Sequence, residues 1–325
     1  MSAESVTTPA KHASQAARAE TSVSATGPTN ILSFDLEDWS YLVMRRFASP
    51  PVPHPEQVTR QTMRVLETLS RHRVRATFFV LGRTAESVPG LIRTLADEGH
   101  ELATHGYDHL PIHPGRLDEF AEDLRRAKQE LASRIGRAVI GYRAPAFSVP
   151  GESWQAFFDV LAGEGIAYDS SVVPMVLPRY GIADFGLAPR RVATSNGADV
   201  VEFPLSLVHW LGRTWMVAGG GYWRLLPAFM LRRAIRRLRR QGRPLVTYFH
   251  NYEFDDRPLR ASAMADRPPG LRRWEVRSNL FRTSVPRKVA GALREFVFAP
   301  FCDVLAEYRQ DAYAVEGAAG RADEV

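Results

Sequence analysis

His105 and His109 in "THGYDH" stand four residues apart. Two imidazoles at that spacing on one turn can face a single cation, and one carboxylate would complete a set that leaves a coordination position open to water. "SFDLEDWSY" (33–41) offers three carboxylates, Asp35, Glu37 and Asp38, directly after the apolar Ile31-Leu32. In a strand Asp35 and Glu37 point to one face and Asp38 to the other. One of the first two can then ligate while its neighbour stays free as a general base. Asp38 has the bland alternative of N-cap to a helix over 39–47. A pair of loop histidines that bind nothing is the bland alternative for His105 and His109, because His-x-x-x-His is a common spacing.

Other polar residues break apolar runs at their ends. Arg143 follows "AVIGY" and precedes the breaker Pro145; a buried arginine there needs a carboxylate, and Asp35 is the obvious one. Asp169 ends "IAYD". His250 ends "LVTYFH" and reads as a general acid or as a core histidine bonded to backbone. "HELATH" is no zinc-protease helix, since His100 and His105 are five apart and the stretch reads as a strand. His113 lies between Pro111 and Pro114 and reads as a surface residue. "GGGYW" (219–223) lacks the lysine and hydroxyl of a phosphate loop and is expected to form a tight turn. No Gly-x-Ser-x-Gly elbow occurs, and the single Cys302 has no nucleophile context and can form no internal disulfide.

The elements that must position these residues alternate. "NILSFDL", "VRATFFVLG", "HELATH", "AVIGYRAP", "IAYDSS", "DVVEFPLS" and "PLVTYFHNYEFD" read as strands. Between them lie helical patterns near 55–72, where Val58, Met63, Val65, Leu66 and Leu69 keep near-helical spacing, and near 84–98, 116–135, 151–163 and 227–241. Final helices fall near 285–308. About seven strand–helix units argue for a parallel sheet closed as a TIM-type barrel, whose chemistry sits at the carboxyl ends of the strands. All the residues singled out then meet at one mouth.

The 325 residues are 45% apolar with a formal net charge of +6, enough for a large core and open to anionic partners. Residues 1–30 have no aromatic residue and no apolar stretch of signal-peptide type. We expect a disordered tail over 1–29, a barrel over 30–255, a C-terminal extension packed on it over 256–315, and a second tail over 316–325. A cytoplasmic location is expected, with peripheral contact to a membrane or anionic polymer through "LRRAIRRLRRQGR" (231–243). Those seven arginines otherwise form the solvated face of an amphipathic helix. No nucleic-acid partner is expected.

"SFDLED", "ATFFVLG", "HELATHGYDH", "GYRAPAFS", "YDSS" and "TYFH" occur in the order of the motifs of the polysaccharide deacetylase family (NodB-homology, carbohydrate esterase 4), which the chain resembles over about residues 30–255. The region with "EFPLS" and "GGGYWRLLP" is similar to the subgroup found with bacterial exopolysaccharide and exosortase loci. The resemblance implies an α/β fold, a distorted (β/α)7 TIM-like barrel. It also implies metal-dependent removal of N- or O-acetyl groups from a sugar or polysaccharide, with a divalent metal, zinc by preference, as cofactor. By position it makes Asp35 the catalytic base, His105 and His109 metal ligands, Arg143 the holder of the base, His250 the general acid and Asp169 the acid that tunes it. The family's adjacent Asp-Asp pair is replaced here by Asp35-Leu36-Glu37-Asp38, so the third ligand is Glu37 or Asp38. Phe147 stands where a tyrosine is usual after Arg-x-Pro-x, and with Pro145 it marks the segment whose backbone N–H would meet the oxyanion. Two other readings are an allantoinase- or cyclic-imidase-like amidohydrolase on the same barrel, and a catalytically silent glycan-binding or assembly protein.

Overall fold

Strand parity sorts the apolar residues of the first strands of the main sheet between separate cores on its two faces. The computed structural model describes residues 27–47, 52–177, 180–210, 212–261 and 268–310, so the tails expected at the two ends lie almost wholly outside the described residues. In chain order the strands are β1 (Asn30–Ile31), β2 (Ser33–Leu36), β3 (Thr77–Val80), β4 (Glu101–Thr104), β5 (Gly141–Tyr142), β6 (Tyr168–Asp169), β7 (Arg190–Ala193), β8 (Asp199–Glu202), β9 (Leu207–Trp210), β10 (Arg213–Met216), β11 (Phe249–His250) and β12 (Phe298–Ala299). The helices are α1 (Trp39–Arg46), α2 (Pro55–His72), α3 (Gly82–Ser87), α4 (Pro89–Asp97), α5 (Leu117–Ile135), α6 (Trp154–Gly163), α7 (Gly220–Leu225), α8 (Ala228–Arg240), α9 (Leu271–Asn279), α10 (Val285–Leu293) and α11 (Phe301–Arg309).

The main sheet has eight strands in the order β11-β2-β3-β4-β5-β6-β8-β7. All neighbours are parallel except β7 on β8, so seven parallel strands form the curled wall of a distorted (β/α)7 barrel. The fully closed ring expected from the repeat of units is not formed by the described strands. Antiparallel β7 occupies the free edge of β8, and Pro204 just beyond β8 has no N–H to extend a ladder. A separate antiparallel hairpin, β9–β10, follows.

Phe34, Leu36, Phe78, Val80 and Leu102 face the helices and join Val65, Leu69, Ile92, Ile235 and Val289 in the larger core. The alternate residues Phe79 and Ala103, with Ile31, Val201 and Phe203, line the inside of the curl. Phe301, Val304, Leu305 and Tyr308 of α11 fill that interior, Phe301 stacking on Tyr168 at 4.9 Å. β12 pairs in parallel with β1, so the C-terminal segment is tied to the start of the barrel.

Local chemistry explains the helix limits. Pro55 opens α2, where a missing N–H costs nothing, and the helix buries Val58, Val65, Leu66 and Leu69. Met63, counted with them by spacing, is 41% exposed and belongs to the outer face. The single helix expected over 84–98 is two: Pro89 forces Val88 out of helical geometry, to φ −131° and ψ 55°, and restarts the chain as α4. Residues 219–223 are no turn but the start of α7, with Gly219 as N-cap and the Gly220 N–H bonded to Tyr248 O at 3.0 Å. α8 buries Leu231, Ala234, Ile235 and Leu238, and two of its arginines, Arg232 and Arg236, pair with Glu295. No helix among the described residues is long and apolar enough to cross a membrane.

Candidate metal and hydrolytic site

β2 carries Ser33 and Asp35 on the face opposite Phe34 and Leu36, so both point into the curl. Arg143, directly after β5, reaches across the barrel to them. Its Nη1 donates to Asp35 Oδ1 at 2.7 Å and to Ser33 Oγ at 2.9 Å; its Nε and Nη2 donate to Ser170 O and Ser170 Oγ, each at 3.0 Å. The guanidinium lies 4.0 Å over the Phe79 ring. Both members of the pair are buried, and the pairing expected between Arg143 and Asp35 is present.

Glu37 lies one residue past the end of β2, its N–H held at 3.2 Å by Asn251 Oδ1. Its Oε1 is 3.2 Å from His105 Nε2 and 3.0 Å from His109 Nε2. His105 Nδ1 is 2.8 Å from the Arg143 carbonyl, which can only accept, so Nδ1 carries the proton. With Nδ1 so occupied, Nε2 faces a carboxylate oxygen. That contact is favourable with a proton on Nε2 or with a cation between the two groups, and repulsive without either. His109 adopts φ 55°, a left-handed turn that brings its ring edge-on to His105 with centroids 5.2 Å apart. Ligand atoms of Glu37, His105 and His109 lie within 4.8 Å of one another. Their donor set, one carboxylate and two imidazoles with an outer hydrogen bond fixing one ring, fits a divalent cation of the zinc type. Burial would raise the Glu37 pKa, but the His109, His250 and His105 rings around it hold the carboxyl well below its usual range.

Asp38 is turned away from this cluster. Its Oδ1 accepts the Tyr41 N–H at 3.1 Å as the N-cap of α1, and its Oδ2 accepts the His54 N–H at 2.6 Å. β2 stops at Leu36, so the position of Glu37 follows from the hydrogen bond to Asn251 and not from strand parity alone.

His250 is the register partner of Asp35 across the β11–β2 ladder, which sets the two side by side. Its Nε2 is 3.7 Å from Glu37 Oε2 and its Nδ1 is 3.7 Å from Glu253 Oε2. Tyr252 stacks on the ring at 4.7 Å and 16°. Burial would lower the His250 pKa; Glu37 first, then Glu253 and Asp35, outweigh it and raise it to about 9.

Asp169 is not brought to His250. Its Oδ1 accepts from Ser171 Oγ at 2.6 Å, and its register partner on β8 is Glu202. Both carboxyls are fully buried. Burial raises Asp169 to about 6 and Glu202 well above its usual value, the neighbouring Asp169 charge adding to the latter, so the two share a proton. Glu202 Oε1 accepts the Val172 N–H at 2.9 Å. The pair organises the chain after β6 and β8.

Phe147 is placed near the site, 5.9 Å from the Arg143 guanidinium, but its N–H already donates to Ala144 O at 3.0 Å. In this arrangement it has no free N–H for an oxyanion, and Pro145 has none at all. Ala146 and Phe147 both hold positive φ, 53° and 55°, a strained pair in the segment just after Arg143.

Glu253, Arg224, Glu202 and Asn251 were not singled out from the sequence. Glu253 had a local signal, a carboxylate three residues after His250 in "HNYEFD". Beyond Tyr252 a cavity of about 660 Å³ opens, lined by Trp39, Tyr222, Tyr252, Trp274, Arg46 and Arg277 among others.

Residues 50–159 match the family described as polysaccharide deacetylase, and residues 170–306 match a domain of unknown function (DUF3473). The peptidoglycan-N-acetylglucosamine deacetylase of Bacillus cereus is 35% identical over 89 residues, 27% of this chain and 30% of that protein. The chitooligosaccharide deacetylase of Sinorhizobium fredii is 50% identical over 87 residues, 25% of this chain and 40% of that protein. The chain thus spans well under two thirds of either relative. A solved Mycobacterium smegmatis chain classed as a polysaccharide deacetylase superposes with a TM-score of 0.60 at 20% identity, covering 91% of this chain and 94% of that one. PuuE allantoinase superposes with a TM-score of 0.57 at 14% identity, covering 88% and 91%. At these identities the two structures speak to the fold alone.

Proposed function

We propose, from the match of residues 50–159 to the polysaccharide deacetylase family, that the chain is a metal-dependent hydrolase removing acetyl groups from an N-acetylated saccharide. The observation that carries this reading is the cluster of Glu37, His105 and His109 at the same mouth as the Arg143–Asp35 pair and His250. A divalent cation held by those three residues, zinc by preference, would supply Lewis acidity to the acetyl carbonyl and to the attacking water.

The chain's own groups supply the proton transfers. Asp35, fixed through Oδ1 by Arg143, takes a proton from the attacking water. His250 hands a proton to the leaving nitrogen, which keeps the electrons of the broken C–N bond. The products are acetate and a free amine, with the water oxygen in the acetate. Amines leave poorly unless protonated, so an acid beside the base suits an N-acetyl substrate. The aromatic and arginine-lined cavity beyond Tyr252 suits the remainder of a saccharide, sugar rings against Trp39 and Trp274 and anionic substituents toward Arg46 and Arg277. Assignment to a bacterial exopolysaccharide or its precursor rests on the sequence resemblance of the region after "EFPLS".

The test is acetate release from acetylated saccharides, among them chitooligosaccharides, peptidoglycan fragments and an O-acetylated polymer. Release from the N-acetyl members should vanish on chelation and return with a divalent metal. Asp35→Asn should keep its metal, measured by elemental analysis, and lose turnover about a hundredfold or more. Full activity in that variant would remove Asp35 from the role of base.

A further inference from the structure

The site above accounts for the Nε2 edge of His250, which faces Glu37; the opposite edge, at Nδ1, it does not explain. His250 Nδ1 is buried and makes no hydrogen bond. The carboxylate nearest to it is Glu253, whose Oε2 lies 3.7 Å away and also accepts the backbone N–H of His250 at 3.1 Å. Glu253 is itself held in place. Arg224 donates to Glu253 Oε1 from Nη2 at 2.6 Å and from Nε at 3.1 Å, and its Nη1 donates to Ser278 O at 2.9 Å. Glu253 is 1% exposed. Space for its carboxylate comes from Gly220, where a Cβ would collide with the Glu253 carboxyl group.

We propose that Glu253, braced by Arg224 of α7, is the positioning carboxylate of His250, the role that the sequence resemblance gives to Asp169. The geometry is that of a carboxylate, an imidazole and a reacting centre in line: Nδ1 toward Glu253, Nε2 toward the Glu37 mouth where the leaving nitrogen must lie. A carboxylate at Nδ1 keeps the proton-bearing Nε2 directed at the leaving group, and Tyr252 stacked on the ring limits its tilt. Asp169 cannot do this, since its oxygens face Ser171 and Glu202. The inference rests on the acetyl-hydrolase reading and deepens it. It also gives a task to the region after residue 206: α7, with its two glycines, carries the arginine that fixes the acid.

The experiment compares the wild-type chain, Glu253→Gln, and the double variant Glu253→Gln with Arg224→Met, which removes the brace without leaving a lone buried guanidinium. Each is assayed on an N-acetylated chitooligosaccharide and on p-nitrophenyl acetate, whose leaving group departs without a proton. Metal content and melting temperature are measured alongside. The expected result is a fall of about tenfold or more in the ratio of amide to aryl-acetate turnover in both variants, carried by kcat with KM within about twofold. A ratio unchanged in both folded variants overturns the proposal, as does a loss equal on the two substrates, which marks Glu253 as structural only. A wild-type chain that releases acetate from no N-acetyl saccharide overturns the hydrolase reading itself, and this inference with it.

Discussion

Arg143 is fully buried, and four of its hydrogen bonds run to Asp35, Ser33 and both oxygens of Ser170. A planar fork with five fixed donors can span those acceptors at once, whereas a lysine would reach one or two. Asp35 is 2% exposed, and the Arg143 guanidinium is paired with it in the interior. Arg143→Met, of similar length, should therefore cost about 3–5 kcal/mol by leaving an unpaired carboxylate in the interior. A chemical denaturation midpoint equal to that of the wild type would show that Asp35 finds another partner. At the same scale, the Glu37 cluster illustrates how a hydrogen bond selects chemistry. The Arg143 carbonyl fixes the His105 proton on Nδ1, and Nε2 is left toward the Glu37 and His109 donors, where a cation could be held.

At the scale of elements, short strands are held by side chains that finish what the ladders leave. β1 is two residues long, and Asn30 extends it in both directions. Its Nδ2 donates to Val297 O at 3.0 Å, and its Oδ1 accepts the Leu245 N–H at 3.0 Å, so one amide bridges the approach to β11 and the approach to β12. Asn30→Ala orphans a buried N–H. The expected cost is about 1–3 kcal/mol, read as a lowered denaturation midpoint with no change in metal content. A change below about 0.5 kcal/mol would mean that water or a shifted strand replaces the amide. α7 follows the same logic on the functional side: its glycines admit Glu253 and Tyr248 so closely that a side chain at Gly219 or Gly220 would displace them.

At the scale of the whole molecule, the curl is open as a hydrogen-bonded ring but filled as a core, because α11 inserts Phe301 against Phe79, Tyr168 and Phe203. Global stability is therefore shared between the first and last described elements, and it is linked to pH through buried groups far from the site. His100 is 3% exposed, and its Nδ1 accepts the Ala76 N–H at 3.2 Å, a bond that a protonated ring cannot make. Burial, reinforced by Arg75, pulls its pKa down to about 4. An unfolded chain takes up that proton near pH 6.5, the folded one only near 4, so the contribution is complete above about pH 6.5 and is lost as pH falls toward 4. Between pH 7.5 and pH 5 the loss from this residue is about 2 kcal/mol. His100→Gln keeps an acceptor and should flatten that part of the stability profile. An unchanged slope in the variant would assign the acid limb to other groups.

The motif residues needed little beyond the chain to be found. Strand parity put Asp35 on the inner face, the four-residue spacing paired His105 with His109, and strand ends collected Arg143 and His250. These are local signals, set by the period of a strand and the reach of a turn. Repetition of strand–helix units likewise identified a parallel sheet, but the closed ring expected from it is not formed by the described strands. What depended on tertiary structure was every choice among equivalents. Glu37 and Asp38 are both acids near a strand end; a hydrogen bond from the Glu37 N–H to Asn251, 214 residues away, and the demand of a helix N-terminus separate them. Asp169 and Glu253 are both carboxylates on strand or loop ends, and only register decides that the first meets Glu202 while the second, behind Arg224, meets His250. Phe147 keeps its motif position, yet its N–H is spent on Ala144. Such outcomes depend on which distant group arrives first at a donor or a charge, and sequence spacing carries no information about that.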